Sequence, residues 1–486
     1  MQELNTVQSC LVIGGCVLWQ GLTASATQAQ IIPDRTLPNP SRVTTTGNTT
    51  VITEGSRSGS NLFHSFRAFS VSNRGTASFN VAPEIENIFT RVTGSTRSDI
   101  NGAIEVLQAD GTVSPANLFL LNPNGILFRE NASLNIGGSF LATTAGSFIF
   151  SNGTEFSAVN PRGNSLLTVS VPIGLQFGQN PGTITNRSLA ILVDDAGNPV
   201  IDEAGDQLAG GLQVRTGEAI ALVGGRINVE DGIITASSGQ IDIGSVGESE
   251  FVSLTIADDW RLEYNAVQTF QDIQLVQFSI LNTSGDRGGS IQIHGDRVSL
   301  TDESEVLSET LGNQNGENIF IQASQLVLDD LSLISSSTPG TGQGGNITIR
   351  VDQLIAQAGG GLSTATSAEG VGGNIDIVAT EFIVLSGAII LQQDQLPLPS
   401  GFFSQAGFPD YRETGNGGNI TISTPELRLE AGAQISASTF GTGNAGTVRI
   451  QAERVELSGV TRNPDGSVFL DDDGLPLPVG FLATQI

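Results

Sequence analysis

Between Gly289 and Ile450, short runs of alternating apolar and polar residues return in fixed phase. The words are Gly289-Ser290-Ile291-Gln292-Ile293, Glu317-Asn318-Ile319-Phe320-Ile321, Gly345-Asn346-Ile347-Thr348-Ile349, Gly373-Asn374-Ile375-Asp376-Ile377, Gly418-Asn419-Ile420-Thr421-Ile422 and Gly446-Thr447-Val448-Arg449-Ile450. Their polar second residues are separated by 28, 28, 28, 45 and 28 positions, the odd step being 28 plus an insertion of 17. Other columns keep the phase. Eight residues on come Val298, Leu326, Leu354, Phe382, Leu427 and Val455; ten on come Leu300, Leu328, Ala356, Val384, Leu429 and Leu457. Sixteen on come Val306, Ile334, Leu362, Ile390 and Ile435, and twenty on come Thr310, Thr338, Thr366 and Thr439.

Each period thus holds three alternating runs punctuated by Gly, Asn, Asp and Ser, which predicts half-buried strands joined by turns. A β-sandwich alternates too but does not need so strict a phase. The pattern predicts an all-β chain, a right-handed parallel β-helix with three short strands per coil. Coils would stack at about 4.8 Å, so that Ile lies on Ile inside and Asn on Asn at the turns. No coil can fold alone, because its ordering entropy is offset only by burial against neighbours. The words Leu396-Pro397-Leu398-Pro399-Ser400-Gly401-Phe402 and Leu475-Pro476-Leu477-Pro478-Val479-Gly480-Phe481 repeat one another, so the chain is expected to stop within a coil, without a visible cap.

Upstream the period fails and specific words take over. They include Asn61-Leu62-Phe63-His64-Ser65-Phe66, Asn87-Ile88-Phe89-Thr90-Arg91-Val92-Thr93-Gly94, and Asn117-Leu118-Phe119-Leu120-Leu121-Asn122-Pro123-Asn124-Gly125-Ile126-Leu127-Phe128. Asn122-Pro123-Asn124-Gly125 between two apolar runs is a tight turn: Pro123 sets φ, and Asn124 and Gly125 tolerate positive φ. Asn117 is read as closing the preceding loop, and His64 as a packed or turn residue. Taken in order, these words closely resemble the filamentous haemagglutinin amino-terminal domain of two-partner secretion exoproteins, in the form common in cyanobacterial members. Asn122-Pro123-Asn124-Gly125 stands where that family has its Asn-Pro-Asn-Gly motif.

The resemblance implies export to the periplasm, and recognition there by docking domains of a dedicated outer-membrane β-barrel partner. Passage through the barrel and folding outside would follow. It also implies that Asn117, Asn122, Pro123, Asn124 and Gly125 serve secretion competence, against the plainer reading that they only stabilise the domain. The expected organisation is a signal peptide over 1–29, a secretion domain over 30–175, irregular coils over 176–280 and regular repeats over 281–486, with a loop insertion near 391–415.

The amino terminus and composition fit such a route. An apolar stretch from Cys10 to Leu22 precedes small and polar residues, with cleavage expected after Ala29 or, second, after Ala26. The first nine residues carry Glu3 and no Arg or Lys, and Ile13-Gly14-Gly15-Cys16 weakly resembles a lipoprotein box. Removing residues 1–29 removes both cysteines, Cys10 and Cys16, leaving a chain able to cross a pore without cross-links. The formal net charge is -28, all 21 basic residues are Arg, and charged residues make up 14%. Such a chain does not grip nucleic-acid phosphates, which call for clustered cations.

Parallel β-helices also carry polysaccharide-cleaving sites, so an enzyme is the alternative class, with a structural surface-layer or matrix component as a third. Paired carboxylates occur at Asp194-Asp195, Asp258-Asp259, Asp329-Asp330 and Asp471-Asp472-Asp473, none in a catalytic word. Asp194 to Pro199 and Asn463 to Gly466 read as hairpin turns, and His294-Gly295-Asp296 as a strand end. Two distant histidines make a poor zinc site. No metal and no cofactor is expected. The loop aromatics Phe402, Phe403, Phe408 and Tyr411 are candidates for binding a glycan or a cell-surface receptor, against packing on the β-helix flank. The expectation is a secreted, non-enzymatic adhesin-like exoprotein at the cell surface.

Overall fold

The computed structural model describes residues 30–162, 167–202, 204–256, 260–390, 397–407, 415–463, 465–470, 474–477 and 479–482. Every regular element in them is a strand. The outline of one coil is clearest where its runs stay separate. Asn117–Leu121 forms one face, Ile126–Phe128 the next and Ser133–Asn135 the third. Each pairs in parallel with the equivalent strand of neighbouring coils: Asn117–Leu121 lies between Asn87–Val92 and Phe140–Thr143. From Ile319 onward the first two strands of a coil fuse into one that runs through the corner. In Ile347–Gln357 the inward-outward alternation slips by one at Asp352 and Gln353, so apolar residues face inward on both sides of the bend. From Leu212–Gln213 to Gly480–Leu482 the third face is a ladder of nine described strands, and in the first coils it is a separate sheet that ends at Ser133–Asn135.

Register follows the sequence columns closely. Ile291, Ile319, Ile347, Ile375, Ile420 and Val448 stack as one column. Asn346 donates its side-chain amide to Asn318 at 3.0 Å, Asn374 to Asn346 at 3.0 Å and Asn419 to Asn374 at 3.2 Å. One apolar core runs from Ile52 to Ala437 along the axis.

The insertion departs from the expected columns. One extra residue enters as a bulge between Ala379 and Phe382, so Ile383 and Leu385, not Phe382 and Val384, stack between Leu354 and Ala356 below and Leu427 and Leu429 above. Further residues form a hairpin, Ala388–Ile390 against Pro397–Pro399. Phe402, not Ile390, then fills the column between Leu362 and Ile435. Both Leu-Pro-Leu-Pro words lead into strands of the third face, Gly401–Phe403 and Gly480–Leu482, which flank Gln434–Ser436.

The amino-terminal end is closed. Ser41–Thr46 pairs antiparallel with Thr49–Glu54, which begins the parallel ladder to Thr76–Val81. Ile31–Pro33 and Ser56–Ser58 both pair antiparallel with Asn61–Phe69. These pairings cover an edge that would otherwise template aggregation.

Candidate functional site

The Asn122-Pro123-Asn124-Gly125 turn is a corner of the coil, and its geometry follows from its residue types. The Gly125 amide donates to the Asn122 carbonyl at 3.1 Å, closing the turn. The Asn122 side-chain oxygen accepts the Asn124 amide at 3.0 Å, an Asx turn superposed on it. Gly125 has φ +113 and Asn124 stays at negative φ, so glycine alone supplies the left-handed residue.

The corner is welded to its neighbours. Below, the Asn122 side chain donates to Thr96 O at 3.1 Å and Ser98 Oγ at 3.0 Å, and Asn124 donates to Gly94 O at 2.8 Å. Above, Gly182 N donates to Pro123 O at 3.0 Å and Ile126 N to Thr183 O at 3.0 Å. A Cβ on Gly182 would lie 2.4 Å from Gly125 N, so only glycine lets this coil approach.

Asn117 opens its strand and is the third rung of a second amide ladder. Asn87 donates to Asn61 at 3.1 Å, Asn117 to Asn87 at 3.0 Å, and Ser139 N to Asn117 Oδ1 at 2.9 Å. Asn87 and Asn117 each give one side-chain hydrogen and accept one bond, so the ladder is continuous through these buried or half-buried rungs. Asn61 completes the ladder by donating to the Thr168 and Ser170 carbonyls.

A buried ionic node lies beside it. The Arg91 guanidinium donates to Ser65 Oγ at 2.9 Å, Ser157 O at 2.7 Å, Thr36 Oγ1 at 2.9 Å and Pro161 O at 3.1 Å, and sits 4.4 Å over the Phe156 ring. Burial lowers its pKa to about 10, against the pull of Asp34, so it stays charged at neutral pH. Burial would raise Asp34, but hydrogen bonds from Thr36, Thr93 and Ser65 outweigh it and hold the carboxyl below its usual range. His64 is buried, accepts or donates at Ser41 Oγ at 2.8 Å, and meets the Phe79 ring edge-on at 5.3 Å. Burial lowers its pKa to about 3.

An antiparallel sheet of Glu155–Ser157, Ser147–Phe150, Pro172–Gln176, Phe251–Thr255 and Arg261–Glu263 packs on the outside of the coils. It makes a second core around the outward column Phe63, Phe89 and Phe119. Phe63 stacks on Phe89 at 5.3 Å, Phe89 on Phe119 at 4.6 Å and Phe119 on Trp260 at 5.3 Å. Phe148 and Phe150 meet this column edge-on.

Of the loop aromatics proposed to bind a glycan or receptor, the two that are described, Phe402 and Phe403, are drawn into the coil. Phe402 is fully buried in the axial core, because the insertion's register delivers it to the Leu362 column. Phe403 is half-buried beside it. Phe408 and Tyr411 lie outside the described residues, as do the signal stretch, Asp258-Asp259 and Asp471 to Asp473. Asp194 N bonds Asn198 O at 2.9 Å and Asn463 N bonds Ser467 O at 2.8 Å, so both predicted hairpins form. His294 ends the strand Ser290–His294, as read. Among the described residues no group of three or more His, Cys, Asp or Glu could hold a metal ion.

Sequence reasoning missed the outer sheet, the Arg91–Asp34 node and a buried cluster of Asp242, Tyr264 and His294. Phe63, Phe89 and Phe119 at matching places in their words were the available signal for the first.

A parallel β-helix with a closed amino end, a flanking antiparallel sheet and an Asn-Pro-Asn-Gly corner is the class of protein these features define. Residues 29–293 match the TPS secretion domain, the domain of two-partner secretion, and the chain belongs to that family. The matched stretch runs past Leu175 through the irregular coils to the first regular repeat. Among solved structures the chain is similar to the HMW1 secretion domain from Haemophilus influenzae, at 15% identity and TM-score 0.51 over 93% of this chain and 99% of that one. It also matches the filamentous hemagglutinin secretion domain at 14% identity and TM-score 0.30, over 88% and 99% of the two chains. The HMW1 likeness shows a common β-helical fold. No curated protein matches the chain.

Proposed function

We propose that this chain is a two-partner exoprotein. Its first coils are recognised by periplasmic docking domains of an outer-membrane β-barrel, it crosses through that barrel, and it acts at the cell surface as an adhesin. The supporting observation is the family match over residues 29–293, within which Asn122, Pro123, Asn124 and Gly125 form a corner bonded to the coils on both sides. TPS secretion domains belong to secreted exoproteins rather than to an enzyme family, and no catalysis is proposed. Asn117 contributes through its ladder and the corner through its turn, so secretion competence and folding of these coils are one property.

Expression with and without a two-partner outer-membrane barrel tests the reading. Full-length chain should appear outside the cell only when the barrel is present, and Asn122→Ala should lower the secreted amount several-fold with synthesis unchanged. Equal external yield without any barrel partner overturns the proposal.

A further inference from the structure

The flanking antiparallel sheet ends at Arg261–Glu263, and just beyond that edge the outward faces of the next coils form a groove of about 700 Å³. This lies within the roughly 300–1,000 Å³ typical of small-molecule sites. Its floor is set by register. Gln240, Ser290 and Asn318 form one outward column, Asp242, Gln292 and Phe320 the next, and Gly244, His294 and Gln322 the third. Tyr264 forms the wall. Its ring stacks on His294 at 4.2 Å, and its hydroxyl donates to Asp242 at 3.0 Å. Gly244 is required there, since a Cβ would lie 2.2 Å from the Tyr264 oxygen.

Two features point to a ligand. His294 is only 6% exposed yet lines the groove, and its Nδ1 has no protein partner; Asp242 Oδ2, under the same wall, has none either. Unpaired buried polar atoms are costly, and natural structures rarely keep them without cause. The rest of the lining carries the chemistry. Gln240, Gln292 and Gln322 line it with side-chain amides, groups that both donate and accept; Gln292 gives one hydrogen to Leu262 O at 3.0 Å and has a second hydrogen and its oxygen besides. Half-buried Phe320 offers an aromatic face among them. The charged lining residues are Arg261, Glu263 and Glu317, one cation and two anions. In a chain of net charge -28 that mixture repels polyanions.

We infer that this groove binds a neutral glycan, its hydroxyls meeting the glutamine amides and a sugar face lying on Phe320. This supplies the adhesion reading with a ligand class and rests on that reading for its setting. Binding is measured on purified protein, so it can fail while export and cell attachment stand.

Trp260 lines the groove and the only other tryptophan is Trp19, so full-length protein carrying Trp19→Phe reports on the site through Trp260 fluorescence. Cellohexaose, maltohexaose and mannohexaose are the probes, with calorimetry as a second readout. At least one should bind saturably, and Gln292→Ala with Phe320→Ala should weaken it at least tenfold at unchanged circular dichroism. His294→Phe, which keeps the stack on Tyr264, should weaken it about fivefold, guarding against a fold-level effect. Absence of saturable binding by all three sugars, or affinity unchanged in both variants, overturns the inference. So does an unstructured polar peptide competing better than any sugar.

Discussion

At the residue scale, ionisable groups in this molecule are placed where burial decides their charge. Asp242 is fully buried, and desolvation raises its pKa to about 7 in spite of the Tyr264 hydrogen bond. His64 and His294 are pushed the other way by burial, to about 3 and about 4. The signs oppose each other. Between the ordinary carboxyl range and about 7 the folded state holds a proton on Asp242 that the unfolded chain releases, so this group costs stability as pH rises through the window. The histidines are neutral when folded but charge below about 6.5 when unfolded, so they cost stability as pH falls. With two histidines against one aspartate, acidification from pH 6.5 to 4 should destabilise the wild type. Asp242→Asn should remove the opposing slope. Its acid-induced loss should be steeper, and at pH 8 it should gain on the order of 4 kcal/mol, from about 1.4 kcal/mol per pKa unit. Urea melts at pH 4, 6 and 8 measure this; parallel curves for the two proteins would contradict it.

At the element scale, two sheets share one set of coils, which explains what could and could not be read from the chain. The regular repeats were legible because each coil buries one face of each strand, leaving alternation intact on either side of the bend in Ile347–Gln357. In the first coils the outer sheet buries the other face too. Asn87–Val92 and Phe140–Thr143 are buried throughout, so the alternation that marks a strand is erased. Coil length also varies there, Asn61, Asn87 and Asn117 being unequally spaced although they stack as one ladder. The Asn-Pro-Asn-Gly corner was legible because a turn is local. The Phe402 column was not, since a bulge and a hairpin move the register by amounts composition does not encode. The outer sheet rests on its aromatic core, whereas the coils keep their own. Phe148→Ala should therefore cost about 3–5 kcal/mol, the usual range for a buried Phe. It should also loosen the sheet before the β-helix. Hydrogen exchange should show Ser147–Phe150 and Pro172–Gln176 losing protection while Ile347–Gln357 keeps it. Equal loss in both would mean that the two layers form one cooperative unit.

At the scale of the whole molecule, stability is a sum of coil-on-coil interfaces, because each coil touches only its neighbours. This makes growth from one end a feasible way to fold. The amino-terminal end is closed by its hairpin, and each later coil finds a finished template of Ile columns and Asn rungs. On the proposed export route, stacking of coils that have emerged would oppose back-sliding of the chain, so folding outside would help draw the rest through the barrel. Ile347 and Ile375 pair in register and both are fully buried in the axial core. Replacing both by Asp puts two like charges one above the other where neither water nor a cation can reach them, a cost well beyond a simple cavity. The lesion should stay local, because coils up to Ser290–His294 do not touch it. Limited proteolysis should release a stable fragment ending near Gly316, and the Asn122 corner within it should remain folded. Recognition at the membrane would then be intact while the later coils no longer stack, so external yield should fall several-fold with total synthesis unchanged. Unchanged external yield, despite proteolytic evidence that the coils beyond Gly316 are open, would show that coil stacking contributes nothing to export.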